Sequence, residues 1–231
     1  MLFRSRRAVI RRSNEAKILR AAERVFARAG FAGARVADIA ALAGVPKPNL
    51  HYYFKSKRAL YRAVLDNILR LWLGETDVIH DRADPRTALE SYVRAKMRFS
   101  RLYPDASRVF ANEIIHGAPE IGRFLRSDLK DLVARKGQIL AQWVASGEIA
   151  PLDPTHLFFA IWALTQTYAD FDTQVCAVLG TKSLSDAEYQ AAADQVVAMV
   201  LRGCGFSYGE RKPEVIPLAA AGEGQRAQSR S

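Results

Sequence analysis

The sequence predicts an all-α fold. Apolar residues recur every three or four positions in one segment after another of the 231 residues, as on one face of a helix. No stretch of useful length alternates apolar and polar residues as a half-buried strand does. Glycine and proline fall between the periodic segments, for example at Gly30, Gly44 and Asp84-Pro85, where they favour helix ends and starts.

The first strongly periodic segment predicts a helix from about Glu15 to Ala29. Ser13 or Asn14 can cap its start and Gly30 ends it. The predicted core face consists of Ile18, Ala22, Val25 and Phe26.

The stretch from Val36 to Lys57 predicts two short helices joined by a tight turn. Gly44 can take the left-handed conformation that ends the first helix. Leu50 and Phe54, four residues apart, anchor the second helix to the first. The polar and aromatic side chains left outside on the second helix are Lys47, Asn49, His51, Tyr52 and Tyr53. This pattern is typical of a helix-turn-helix whose second helix enters a DNA major groove.

The charge is concentrated in the same part of the chain. Of the 34 basic and 24 acidic residues, fourteen basic and three acidic ones lie in residues 1–58, which gives this segment a net charge of +11. The remaining residues carry −1, so the whole excess of +10 accompanies the helix-turn-helix. A polyanion such as double-stranded DNA is the partner that this asymmetry favours. Arg35, just before the second helix, and Lys57 are further candidates for phosphate contacts.

Residues 1–13 hold five arginines and no apolar periodicity, which predicts a disordered basic arm. The arm either follows phosphates or a minor groove, or is a tail that only aids solubility. The sequence then predicts a helix-turn-helix domain over 14–58, a helical ligand-binding and dimerisation domain over 59–206, and a disordered tail over 207–231, rich in Gly, Glu, Arg and Gln. The predicted helices of the second domain lie at about 57–79, 85–102, 107–116, 121–146 with a kink near Arg126, 155–179 and 186–202.

Several polar residues share apolar helix faces in the second domain. Trp162 and Gln166 are four residues apart, as are Lys96 and Ser100. Trp72 lies near the end of the long helix that follows the helix-turn-helix domain. An apolar cavity with a few convergent polar groups is typical of a small-ligand site. A Gln beside a Trp can read a planar amide by paired hydrogen bonds and stacking. Alternatively these groups are structural, with Lys96 pairing with Glu113 and Gln166 satisfied in the core or an interface.

The sequence offers little for other classes of protein. Two cysteines, Cys176 and Cys204, make no disulfide framework and lack metal-ligand spacing. No apolar run reaches membrane-spanning length and no secretory signal is evident, so we expect a cytoplasmic protein without a membrane partner. The four histidines have no evident Ser or Cys partner, which makes an α-helical enzyme the least favoured class and predicts no catalytic or metal site. A ligand-independent DNA binder would explain the charge but not the large second domain.

The run LHYYF followed by KSKRALYRAVL resembles the DNA-binding domain of TetR-family transcriptional regulators. The resemblance implies that Tyr52 and Tyr53 close the recognition helix and that Lys57 contacts phosphate at the start of the next helix. The chain departs from the family at Pro46, where a small hydroxyl residue usually caps the recognition helix. Proline is tolerated in a first helical turn, but a hydroxyl contact to phosphate is lost.

The segments DNILRLWL, KMRFSRLYPDASRVFANEIIHGAP and IWALTQTYADFDTQV are similar to the RutR-like, pyrimidine-utilisation branch of that family. The resemblance implies a homodimer joined through its last two helices. It also implies a repressor released from operator DNA when uracil or thymine occupies a cavity of Trp72, Lys96, Ser100, Trp162 and Gln166. No cofactor is expected apart from this effector. The alternative is a regulator of nucleobase or nitrogen metabolism that responds to a different ligand.

Overall fold

The computed structural model of the chain describes residues 2–207, with the backbone alone for residues 2–10, 12 and 75. Every regular element in this range is helical, which confirms the all-α prediction. The α-helices are α1 (Leu2–Gly33), α2 (Val36–Ala43), α3 (Lys47–Tyr53), α4 (Lys57–Leu73), α5 (Pro85–Leu102), α6 (Pro104–Ile115), α7 (Gly122–Phe124), α8 (Lys130–Ala145), α9 (Pro154–Asp170), α10 (Asp172–Leu179) and α11 (Asp186–Gly203). A 3₁₀ turn (Gly74–Val78) follows α4, and a π-helical turn (Leu125–Leu129) precedes α8.

Helix α1 starts earlier than its apolar pattern. Its backbone is helical from Leu2, so the prediction of a disordered arm is wrong for residues 2–13. The absence of an apolar face predicted no tertiary packing there, but a helix that is already formed further along the chain can propagate without a new nucleus. Near its other end Gly30 adopts φ 63°, which breaks the helix where the sequence predicts it to end.

The core of the N-terminal head, which consists of α1, α2 and α3, extends beyond these three helices. Ile18, Phe26, Ile39 and Leu50 are at most 1% exposed and form one cluster with buried residues of α4. Val109 of α6 belongs to the same cluster. The head is therefore packed directly on α4 and α6.

A second cluster holds α5, α8, α9 and α11 together. Leu89, Val93, Phe158, Val197 and Leu201 are at most 1% exposed in it. The cluster is separate from the core of the head, to which α4 and α6 contribute buried residues.

Two features of this second region can be compared with the predicted helix boundaries. The single helix predicted over 155–179 is wrong, because α9 ends at Asp170 and α10 begins at Asp172 after a bend at Phe171. The kink predicted near Arg126 coincides with the π-helical turn (Leu125–Leu129). The tail predicted over 207–231 lies outside the described residues from 208 onward. Among residues 2–207, no helix is both long and apolar enough to cross a membrane.

Candidate DNA-binding surface and effector site

The turn between α2 and α3 has the geometry of a helix-turn-helix. Gly44 adopts φ 65° and ψ 33°, and its N–H donates to the carbonyl of Ala41 at 3.1 Å. The N–H of Val45 donates to Ala40 O at 3.0 Å, which closes the end of α2. Pro46 occupies the N-cap position of α3 and supplies no side-chain cap, as the sequence implies.

Helix α3 is anchored by apolar residues and exposes its polar ones. Leu50 is 1% exposed and Phe54 is 8% exposed, so both point into the core of the head. Tyr52 is 74% exposed. The other exposed candidates for DNA contacts are Lys47, Asn49 and His51 on α3, together with Arg35 at the N-cap of α2.

Tyr53 differs from the other candidates because it is half-buried. Its hydroxyl accepts a hydrogen bond from Nδ2 of Asn14 at 3.4 Å, and its ring meets that of Tyr52 edge to face, with centroids 5.5 Å apart. Tyr53 thus joins the recognition helix to α1 and supports the position of Tyr52.

Lys57 starts α4 and is held by the protein itself. Its Nζ atom donates to the carbonyl oxygens of Ala32 at 3.2 Å and Ala34 at 3.1 Å. Ser56 caps the same helix by accepting from the N–H of Ala59 at 3.1 Å. No sequence pattern indicates that Lys57 would satisfy these two carbonyls at the end of α1.

In the second domain, polar side chains of α5 join it to α9. The indole Nε1 of Trp162 donates to the hydroxyl of Tyr92 at 2.8 Å. Two helical turns further along α5, Ser100 Oγ donates to the carbonyl of Thr165 at 2.8 Å. Lys96 lies between Tyr92 and Ser100 on the face of α5 that these contacts turn toward α9.

Lys96 is only 6% exposed. Its Nζ atom lies 4.5 Å from the centroid of the Trp72 ring, a cation–π contact that offsets part of the cost of burying the charge. Trp72 also meets Phe110 of α6 edge to face, with centroids 4.5 Å apart. The end of α4 and the middle of α5 therefore meet at this ammonium group, and α6 packs against the same indole ring.

Asp170 and Ser107 are two further polar residues at this place, and neither was among the predicted site residues. Ser107 Oγ donates to Asp170 Oδ1 at 2.6 Å and so ties α6 to α9. Burial raises the pKa of Asp170, while the Ser107 hydrogen bond and the charges of Arg108 and Lys96 pull it down. The spacing of Asp170, four residues after Gln166, was the available sequence signal.

Gln166 is half-buried one turn after Trp162 on α9. Its amide makes no hydrogen bond to the rest of the described chain. The five predicted residues thus lie on α4, α5 and α9, and contacts join Trp72 to Lys96 and tie Ser100 and Trp162 across α5 and α9. The Ser100 hydroxyl and the Trp162 N–H are already hydrogen-bonded inside the protein. Glu113 accepts hydrogen bonds from Tyr61 and from two backbone N–H groups.

Two family models match consecutive parts of the chain. Residues 18–64 match the family described as bacterial regulatory proteins, tetR family. Residues 65–207 match the family described as YcdC-like protein, C-terminal region. The HTH-type transcriptional regulator RutR of Escherichia coli strain K12 is 45% identical over 186 residues, which cover 80% of this chain and 88% of that protein.

Solved structures share the same architecture. The transcriptional regulator SCO4942 of Streptomyces coelicolor is 26% identical, with a TM-score of 0.63 over 81% of this chain and 96% of that one. AibR, solved in complex with isovaleryl coenzyme A and operator DNA, is 20% identical, with a TM-score of 0.64 over 80% and 97% of the two chains. The second likeness shows the fold alone.

Proposed function

This chain belongs to the TetR family of DNA-binding transcriptional regulators, and we propose that it is a homodimeric repressor released from its operator by uracil or thymine. The observation that carries the effector half of this proposal is the cluster around Lys96. There the buried Lys96 ammonium group lies over the Trp72 ring. Gln166, whose amide makes no hydrogen bond within the described chain, lies on α9, which packs against α5.

The chemistry of a pyrimidine-dione suits this cluster. Its edge presents carbonyl acceptors beside a donor N–H, and the Gln166 amide offers the complementary donor and acceptor. Lys96 can donate a hydrogen bond to the second carbonyl, and its positive charge strengthens such a bond. The indole ring of Trp162 offers a flat apolar surface on which the pyrimidine ring can stack. The indole N–H takes no part in this contact, because it already donates to the hydroxyl of Tyr92.

DNA binding is supported by the exposed polar face of α3 and by the basic head. Two such heads in a twofold dimer would meet half-sites about one helical turn apart. The effector would act by a population shift. It would bind more tightly to a conformation in which the spacing of the two heads no longer fits the operator, and so would increase the population of that conformation.

The homodimer is supported by apolar residues left outside on the last helices. Phe159 of α9 is 49% exposed, Phe171 is 54% exposed and Met199 of α11 is 50% exposed. Exposed large side chains on neighbouring elements favour a partner surface, and twofold symmetry is the commonest arrangement for identical chains.

A panel of nucleobases in a thermal-shift measurement tests the effector. A ligand that binds only the folded state raises the melting temperature with concentration, so uracil or thymine should do so and purines should not. An operator selected by the protein from a random duplex pool should then be released by the same compound. A shift with a different nitrogen compound alone would favour the alternative effector. A protein that selects no duplex would contradict the repressor proposal.

A further inference from the structure

The turn between α6 and α7 is fastened to the first two turns of α4 by Glu120. Its side chain is 4% exposed, and its two oxygens accept from Nε of Arg58 at 2.6 Å and from Nε of Arg62 at 2.5 Å. The two arginine side chains are 63% and 57% exposed and cover the carboxylate. Charge-assisted hydrogen bonds of this kind are stronger than neutral ones, so the contact holds the turn against α4.

A second carboxylate shapes the same turn from inside. Glu113 of α6 is 3% exposed, and its Oε1 accepts from the backbone N–H of Glu120 at 2.6 Å and of Ile121 at 3.2 Å. Its Oε2 accepts from the hydroxyl of Tyr61 on α4 at 3.0 Å. Burial and the Glu113 charge raise the pKa of Tyr61, which keeps the hydroxyl a donor.

The backbone of the turn is strained. Gly117 and Ala118 adopt φ 86° and 55°, and Ala118 is the one non-glycine residue with positive φ among residues 2–207. The N–H of Ala118 donates to Glu113 O at 2.8 Å, and its carbonyl accepts from Gly122 at 2.8 Å. A strained residue persists where its surroundings over-determine it, and such residues cluster in switch regions.

Helix α6 carries this turn at one end and touches the candidate effector site along its length. Ser107 is bonded to Asp170 of α9 and Phe110 packs on Trp72. A displacement of α6 at these contacts would be carried to Glu120, because Glu113 of the same helix holds the backbone N–H of Glu120.

We propose that Glu120 is the positioning residue through which α6 sets the orientation of the DNA-binding head. The proposal rests on the proposed DNA-binding function. The contact of Glu120 with Arg58 and Arg62 holds α4 in the position at which the recognition helix fits an operator. Loss of this contact lowers the affinity for the operator.

The variant Glu120→Gln separates positioning from charge. Removing a negative charge beside the basic head favours binding to any DNA on electrostatic grounds. A loss of head orientation works in the opposite direction, and only on the specific site. We therefore expect operator affinity to fall about tenfold, a typical size for coupling between sites, while affinity for random duplex is equal or higher. Unchanged or tighter operator binding by Glu120→Gln would overturn the proposal.

The matched control is Glu90→Gln. Glu90 also accepts from an arginine Nε, that of Arg94 at 2.8 Å, but this pair joins α5 to α11 through Asp194. We expect this variant to keep the ratio of operator to random-duplex affinity. An equal fall of that ratio in both variants would count against a specific role for Glu120.

If Glu120→Gln fails to fold, Arg62→Gln removes one arm of the same contact, and the ratio of operator to random-duplex affinity must again fall. If the wild-type protein binds no duplex at all, the proposed function fails. The contact is then judged by hydrogen exchange, which Glu120→Gln must accelerate in the first turns of α4 relative to Glu90→Gln.

Discussion

The Nζ atom of Lys57 lies 4.7 Å from the centroid of the Phe31 ring. The same ammonium group donates to two carbonyl oxygens that follow the break in α1, so it joins the end of the first helix to the start of α4. Lys57 is therefore a structural residue of the head in addition to its predicted contact with phosphate.

Lys57→Ala is expected to have two effects. Loss of a phosphate contact should weaken binding to operator and random duplexes alike and lower the salt dependence by about one. Loss of the cation–π contact and two hydrogen bonds should also lower the free energy of unfolding by about 1–2 kcal/mol. Filter binding at several salt concentrations and urea unfolding check the two effects. Lys55→Ala, at an exposed neighbouring lysine, is the control that should leave stability unchanged.

Asn49→Ala and Tyr52→Ala should reduce sequence discrimination. Both residues are exposed on α3. In the proposed complex this helix enters the major groove, where its side chains contact base edges as well as phosphates. A lost base contact costs about 1–3 kcal/mol at the specific site and little elsewhere. Competition binding between selected operator and random duplex measures the difference. If the ratio of the two affinities stayed at its wild-type value in both variants, α3 would not be the recognition helix.

Deleting residues 1–12 should lower DNA affinity mainly at low salt. The deletion removes five arginines, and the counterions that such residues release on binding supply a salt-dependent free energy. The full-length chain with the five arginines changed to glutamine is the matched control, since it keeps the length of α1. Identical salt slopes for all three proteins would favour a role in solubility.

Stability should fall as pH rises from about 5 toward 7 because of Glu23. Burial first, and then the charge of Asp105 on α6, raise its pKa from 4.5 to about 7, although Arg24 opposes the shift. Between these values the folded protein keeps a proton that the unfolded chain has released, so the raised pKa works against folding as pH increases. The free energy of unfolding thus falls as pH rises from the unfolded pKa of 4.5 to the folded pKa of about 7, and it stays lower at higher pH.

Glu23→Gln should remove this dependence and raise stability at pH 8. Screening at a half-buried group reduces the gain to about 1 kcal/mol, or about 2–4 °C in melting temperature. Asp105→Asn should move the fall in stability to lower pH, because one of the causes that raise the Glu23 pKa is gone. Parallel stability curves of Glu23→Gln and wild type from pH 5 to 8 would contradict the assignment.

The sequence predicted those parts of the fold that local pattern determines. Gly44 and the apolar pair Leu50 and Phe54 were enough to place the turn and the inner face of α3. The bend at Phe171 was missed because residues 155–179 keep helical periodicity without a glycine or proline. The helical backbone of residues 2–13 was missed for the opposite reason, since no apolar face marks it.

The sequence predicts which candidate effector residues share a helix face, but not the contacts that they make. Four-residue spacing put Trp162 and Gln166 on one face of α9, and the structure places both at its half-buried margin. Nothing in the spacing indicates that the Trp162 N–H is used by Tyr92, or that Ser100 is bonded to Thr165 O. Contacts between helices 65 or 70 residues apart depend on packing, which local patterns do not encode.

Gln166→Leu should weaken uracil binding and leave operator binding without effector nearly unchanged. The amide of Gln166 has no hydrogen-bond partner in the described chain, and leucine has a similar volume. The change therefore costs the protein little but leaves the polar edge of a pyrimidine unpaired, a loss of about 1–3 kcal/mol. Calorimetry with uracil on both proteins measures the loss. In an operator-release assay the variant should need about 5–150 times more uracil, the same loss expressed as a ratio.

Thr167→Val is the control for this experiment on the same helix. Its hydroxyl donates to Ala163 O at 2.8 Å within α9, so its removal should not change uracil affinity. Equal uracil affinity in Gln166→Leu and wild type would remove Gln166 from the site while leaving the effector in place. No binding of uracil or thymine to the wild type would instead contradict the effector, and DNA binding would stand on α3 and Lys57 alone.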